Sequence, residues 1–514
     1  MTTPALRAAT GPAHHLAAAL LLASLLTLIA GCASRPPRPE NDPRTDYLDP
    51  RLNVEQRTVA LDRAWDEAPD APGGRSVFRE AVKQIAWSIG APTELRLASI
   101  RKLLEDDDPE ALADTRRSLK LRLWQERTPE VVELMAETAA IRGWDEYRSA
   151  LVRSWSRPWP PIPDDRRPER AALQALRPGQ PIGETVLEVF LDPREGMLDT
   201  LDMDARVRSD SWDLLARLDP DGKLRLAMLH DPAVRPQSGD GQRILSDLRA
   251  AVNDFNIVPI TGAELAWLTR LRQPGSENSA WWGQAADAAS LLDDSQKRDL
   301  RLRHIEPIRW ARQFRPLWLD RQRDELLSEL RSRLEGRQTT RRTAGVSGRF
   351  PELLEDHAHR LSWGDILAIL VVDIAAHDPG VVETALEQVA RDRDDRSTEY
   401  GGLLHARPGD VGGPGVFKVT LFPPRPNERP ADDQFVASAD MIEQGARTLA
   451  HYHFHAQRGA SAAVAGPSLG DLDYADRYGV NCLVITWLDR DLVALDYYCA
   501  GGIVVDLGRI RAGR

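Results

Sequence analysis

Tyr452-His453-Phe454-His455 is the stretch whose residue types and spacing most directly suggest chemistry. On an extended strand alternate residues face one side. His453 and His455 can therefore bring two imidazoles to one cation, while Tyr452 and Phe454 pack the other way. Alone, the pattern also fits two polar residues on an exposed strand face. Two further polar elements flank it: Glu399-Tyr400-Gly401-Gly402-Leu403-Leu404 upstream and Pro467-Ser468-Leu469-Gly470-Asp471 downstream. A similar set stands at His357-Ala358-His359 and Ser362-Trp363-Gly364-Asp365, in helical surroundings. On a helix, residues two apart diverge and cannot share a ligand face. Ser362 followed by Asp365 and the apolar run Ile366–Val372 reads as a helix N-cap and first turn, so this second set is rejected as a site.

The elements that must position the histidines form an α+β pattern after Thr398. Short β-type runs are expected at Tyr400–His405, Val416–Phe422, Thr448–His455, Asn481–Leu488, Leu492–Tyr498 and Ile503–Leu507, with helices at Ser438–Ala446 and Leu469–Tyr478. A two-residue hairpin loop at Arg490-Asp491 would set Cys482 opposite Cys499, where a disulfide or two buried free thiols are the alternatives. Earlier segments are helical, with apolar residues three and four apart in Val77–Ile89, Glu94–Leu104, Ala111–Trp124 and Val131–Ala140. Start signals recur at Pro92-Thr93-Glu94, Asp108-Pro109-Glu110 and Thr128-Pro129-Glu130. The expected organisation is multi-domain. Residues 46–156 form a helical domain, read as a HEAT-like solenoid or a plain bundle. Residues 157–183 form a Pro-rich linker, residues 184–376 a second helical region, and residues 377–514 the α+β domain. Trp281, Trp282, Trp310 and Trp318 read as core or groove residues rather than as a sugar-binding platform.

Taken in order, the glutamate before a Gly-Leu-Leu strand, the His-x-His strand and the Ser-x-x-Asp helix resemble the JAMM (MPN+, or JAB) metalloprotease family over about His377 to Leu507. The resemblance implies a zinc ion held by His453, His455 and Asp471, with water in the open fourth position. It implies Glu399 as general base, Ser468 as a group that helps hold the oxyanion, and hydrolysis of a peptide or isopeptide bond. His451, on the same strand face, is the competing ligand choice, but the Tyr-His-x-His match favours His453 and His455 and leaves it as a neighbour. Two features depart from the family: Ala456 stands where proline usually follows the second histidine, and residues 456–467 lengthen the gap to Ser468.

The start of the chain reads as an address. Arg7 precedes the apolar run Leu16–Ala30, too short to span a membrane, which ends in Ile29-Ala30-Gly31-Cys32. This resembles the lipobox of bacterial lipoproteins. Residues 1–31 are then a signal peptide, Cys32 the lipidated residue and residues 32–45 a Pro-rich tether. Such a chain belongs in the cell envelope, on the periplasmic face of the outer membrane or at the surface, held to the membrane through its lipid. The net charge of −11 argues against nucleic acid as a partner. The leading expectation is a lipid-anchored zinc metallopeptidase with a protein or peptide substrate. The alternative is a catalytically silent binding or scaffolding lipoprotein of the same fold. A third reading is an envelope-remodelling factor acting on the amide cross-links of peptidoglycan.

Overall fold

The computed structural model describes residues 43–68, 74–159, 161–193, 203–340, 352–407, 416–429, 431, 434–456 and 465–511. The expected signal peptide, Cys32 and most of the tether lie outside the described residues. Chain contacts divide the molecule into two compact units, residues 1–122 with 126–135, and residues 123–125 with 136–514. Among the described residues every element before Gly401 is helical. The chain is thus a helical N-terminal region followed by an α+β region with a six-stranded sheet.

In the first unit, helices Val54–Glu67, Gly74–Trp87 and Thr93–Leu104 bury Leu61, Trp65, Val82, Leu95 and Ile100 against one another. Asn53 caps the first of these through a capping box with Gln56. Arg79 reaches both Asp106 and Asp108, tying the Gly74–Trp87 helix to the turn before Pro109.

The second unit corrects one expected boundary. Residues 157–183 are not a loose linker over their described part. Pro168 opens the helix Pro168–Leu176, where its missing N–H costs nothing. Arg167, almost fully buried, holds Glu169 through two nitrogens and donates to the Ser154 carbonyl. Nor does position 376 separate two bodies. Asn481 donates to the Arg303 and Leu449 carbonyls, and Trp267 donates to the Ala446 carbonyl, so helices and sheet belong to one compact unit. Trp363–Ala376 is buried all round, as its uniform apolar run requires.

The strands are β1 (Gly401–Arg407), β2 (Val416–Leu421), β3 (Ala450–His455), β4 (Cys482–Asp489), β5 (Leu492–Cys499) and β6 (Ile503–Arg511), in the spatial order β2-β1-β3-β4-β5-β6. Only β3 and β4 run parallel, and the helix Leu469–Tyr478 lies in their crossover. β3 is central and buried at every position. The β4–β5 hairpin turns at Arg490-Asp491 as expected, but the register shifts between Trp487 and Asp489. That extra residue pairs Cys482 with Tyr498, not with Cys499. The expected cross-strand alignment is therefore lost by one residue, and both cysteines are buried free thiols.

Candidate metal centre

The site grows from one row of the sheet. Gly401 on β1 and Val484 on β4 flank His453 on β3. A Cβ on Gly401 would come 2.5 Å from both the Phe435 ring and the Tyr452 carbonyl, and one on Gly402 would come 2.0 Å from the Thr420 carbonyl. These contacts require the Gly-Gly pair. With no side chain at 401, Phe435 lies flat against the His453 imidazole, ring centres 5.6 Å apart and planes 8° from parallel. On its other nitrogen, Nδ1, His453 has the Tyr498 hydroxyl at 3.4 Å.

The strand alternation holds, and His453 and His455 converge with their Nε2 atoms 3.2 Å apart. Asp471 joins them, Oδ1 at 3.2 Å from His453 Nε2 and Oδ2 at 3.7 Å from His455 Nε2. Glu399, buried just ahead of β1, brings a carboxylate oxygen into a group with the two imidazoles whose ligand atoms all lie within 4.8 Å of one another. Glu399 and Asp471 thus each lie beside the two histidines, and the group whose ligand atoms all fall within 4.8 Å of one another is Glu399, His453 and His455.

The Ser-x-x-Asp element aims Asp471. Ser468 is the N-cap of the Leu469–Tyr478 helix, and its Oγ accepts the Asp471 N–H. Asp471 Oδ2 accepts the Ser468 N–H at 2.6 Å in return, completing a capping box. One carboxylate oxygen is fixed by backbone, and the other is turned onto the imidazole. Ser468 itself is exposed. Burial opposes ionisation of Asp471, but the adjoining imidazoles outweigh it and hold the carboxyl well below the usual carboxylate range.

The donor set fits a small divalent ion. Nitrogens at 2.0–2.1 Å from a tetrahedral ion lie about 3.3 Å apart, and a carboxylate oxygen stands about as far from each. The 3.2 Å between the two Nε2 atoms and the 3.2 Å from His453 Nε2 to Asp471 Oδ1 match that spacing, while the 3.7 Å approach to His455 Nε2 is made by the other oxygen, Oδ2. The charge balance points the same way. Among the described residues the ion-pair partners of Asp471 are the two imidazoles, and no arginine or lysine pairs with it. A buried carboxylate with a second one in reach is costly unless a cation joins it.

His451 stands apart from this cluster. Its Nδ1 meets the Tyr474 hydroxyl at 2.8 Å, its Nε2 side packs on Gly445, and burial pushes its pKa down to about 3. The rejected look-alike diverges as helical geometry demands. His357 is buried and its Nε2 accepts from the Val504 N–H, while His359 is exposed. Phe435 and Tyr498 are the contributors that sequence reasoning missed. Phe435 sits in a stretch without periodic signal, and the register of Tyr498 depends on the irregularity in β4.

Comparison with family models, with curated proteins and with solved structures yields no match.

Proposed function

We propose that the chain is a zinc-dependent metallopeptidase of JAMM type, hydrolysing a peptide or isopeptide bond. One observation carries this reading: two buried imidazole Nε2 atoms and the Asp471 carboxylate converge at ligand spacing, with Glu399 beside them. His453, His455 and Asp471 would hold the ion, and Glu399 would be left to move protons. Bound zinc supplies Lewis acidity and a water that ionises near neutral pH. Glu399 takes a proton from the attacking water and delivers it to the leaving nitrogen as the C–N bond breaks. The products are a carboxylic acid and an amine. Phe435 and the Tyr498 hydroxyl hold the His453 ring, and this would keep its Nε2 available to the ion. Ser468 accepts from the Asp471 N–H, so its own O–H proton remains to donate to the oxyanion. A lipid anchor at Cys32 would place this activity at the membrane surface of the cell envelope.

The test pairs metal analysis with peptidase assay. Wild type should bind about one zinc per chain, while His453→Ala and Asp471→Ala should bind none. Equal metal in all three would remove the assigned ligands. Glu399→Gln should keep the metal and lose activity by about 10²–10⁴-fold. Activity surviving that change would remove the assigned base.

A further inference from the structure

Away from the metal centre, a cavity of about 830 Å³ opens among helices of the second unit, next to Arg208 on the Met203–Leu218 helix. Arg208 is only 8 % exposed, yet among the described residues it forms no ion pair and its Nε has no hydrogen-bond partner. The other buried arginines are ion-paired. Arg167 holds Glu169, Arg225 holds Asp219 and Arg309 holds Glu306, as a desolvated guanidinium should. Nearby carboxylates do not supply the missing partner. Asp210 is taken by Arg153, Asp240 by Arg243, and Asp213 accepts the Gly262 N–H at 2.6 Å. A planar, unanswered guanidinium on the wall of a cavity this size complements a ligand carboxylate, which it can grip with two parallel hydrogen bonds.

The rest of the wall narrows the ligand class. Asp204 and Asp213 line the same cavity, and a phosphate dianion would face them at close range. An ammonium group would be welcomed there. We propose that the cavity binds a zwitterion of amino-acid type, a free amino acid or a short peptide, with its α-carboxylate on Arg208 and its ammonium toward Asp204 and Asp213. Arg477 and Tyr478, in the last turn of the helix whose first turn carries Asp471, complete the wall. The occupant therefore touches the helix that supplies a candidate metal ligand, although the binding itself does not depend on the metallopeptidase reading.

Calorimetric titration of the full chain, with chelator present so that no hydrolysis intervenes, tests this. The probes are alanine, alanyl-alanine, alanyl-alanine amide, N-acetyl-alanyl-alanine and inorganic phosphate. Alanine or alanyl-alanine should bind saturably at one site, and the tighter of the two identifies the source of the zwitterion. The amide and the N-acetyl form should each bind about ten-fold more weakly or worse. Phosphate should not compete. Arg208→Met should abolish binding while leaving the melting temperature equal or higher, since the lost cation had no partner. Arg208→Lys, which keeps the charge but not the fork, should also lose about ten-fold. Absence of saturable binding by both zwitterions, an amide bound as tightly as the acid, displacement by phosphate, or undiminished binding to Arg208→Lys would each overturn the proposal.

Discussion

The molecule builds the same local device twice and uses it differently. Ser362–Asp365 and Ser468–Asp471 are both N-terminal capping boxes, and each turns its aspartate toward histidine. At Asp365 the partners are the Arg303 guanidinium at 2.7 Å and His304 Nε2 at 3.0 Å. Burial, then the Arg303 charge, pushes His304 down to about 4, so it stays neutral and Arg303 alone balances Asp365. That region is closed, with its cation built in. At Asp471 two imidazoles converge, and among the described residues no guanidinium pairs with it. The local motif is common to both; whether the chain also supplies the cation is what separates a structural knot from a candidate metal site.

The comparison can be broken most forcefully by removing each aspartate. Asp365→Ala strands Arg303 in the interior and should cost about 3–5 kcal/mol of stability, read by denaturant unfolding. Asp471→Ala in metal-free protein should cost much less, because among the described residues it removes a charge with no arginine or lysine partner. Similar losses would erase the distinction. Chelation sharpens it next. If zinc is present at about a thousand times its dissociation constant, its removal should lower the stability of wild type by about 4 kcal/mol. His453→Ala should be indifferent to chelator, and a matching response in that variant would place the metal elsewhere.

Acid should act chiefly on the closed region. The folded pKa of His304, about 4, lies below its unfolded value near 6.5, so the unfolded chain takes up the proton first. Stability is then complete above pH 6.5 and falls as the pH drops toward 4. From pH 7 to 5 the loss should be about 2 kcal/mol, visible as a falling melting temperature of chelated protein. A flat profile over that window would contradict a neutral buried His304. The smallest effects belong to the caps. Ser362→Ala and Ser468→Ala should each cost about 1 kcal/mol. Only Ser468→Ala should also speed zinc release, and equal release rates would deny the cap its aiming role.

Much of this contrast is legible in the sequence because its parts are local. Period-two alternation finds β3, and Ser-x-x-Asp before an apolar run finds both caps. The bounds of the Leu469–Tyr478 helix follow from its N-cap and from Gly479, which takes the left-handed backbone that ends it. What is missed depends on partners remote in the chain. A guanidinium from Arg303 decides the fate of Asp365 across 62 residues, and no local pattern announces it. One extra residue in β4 moves Cys482 from Cys499 to Tyr498 and so supplies the partner of His453. Prolines in 157–183 suggest a linker, yet Pro168 starts a helix and Arg167 buries itself on Glu169.

The parallel pairing of β3 with β4 has a consequence for how the protein comes into being. Glu399, the two histidines and Asp471 arrive on separate elements, and Tyr498 follows only on β5. Thr340 waits for Asp506, 166 residues later, before its N–H is satisfied. Such distant pairings close slowly, and a chain emerging from its N-terminus folds its helical parts first. Completion of the candidate site should then be among the last events of maturation, because a chain stalled before residue 471 lacks Asp471 and the three strands that pair onto β3 from β4 outward.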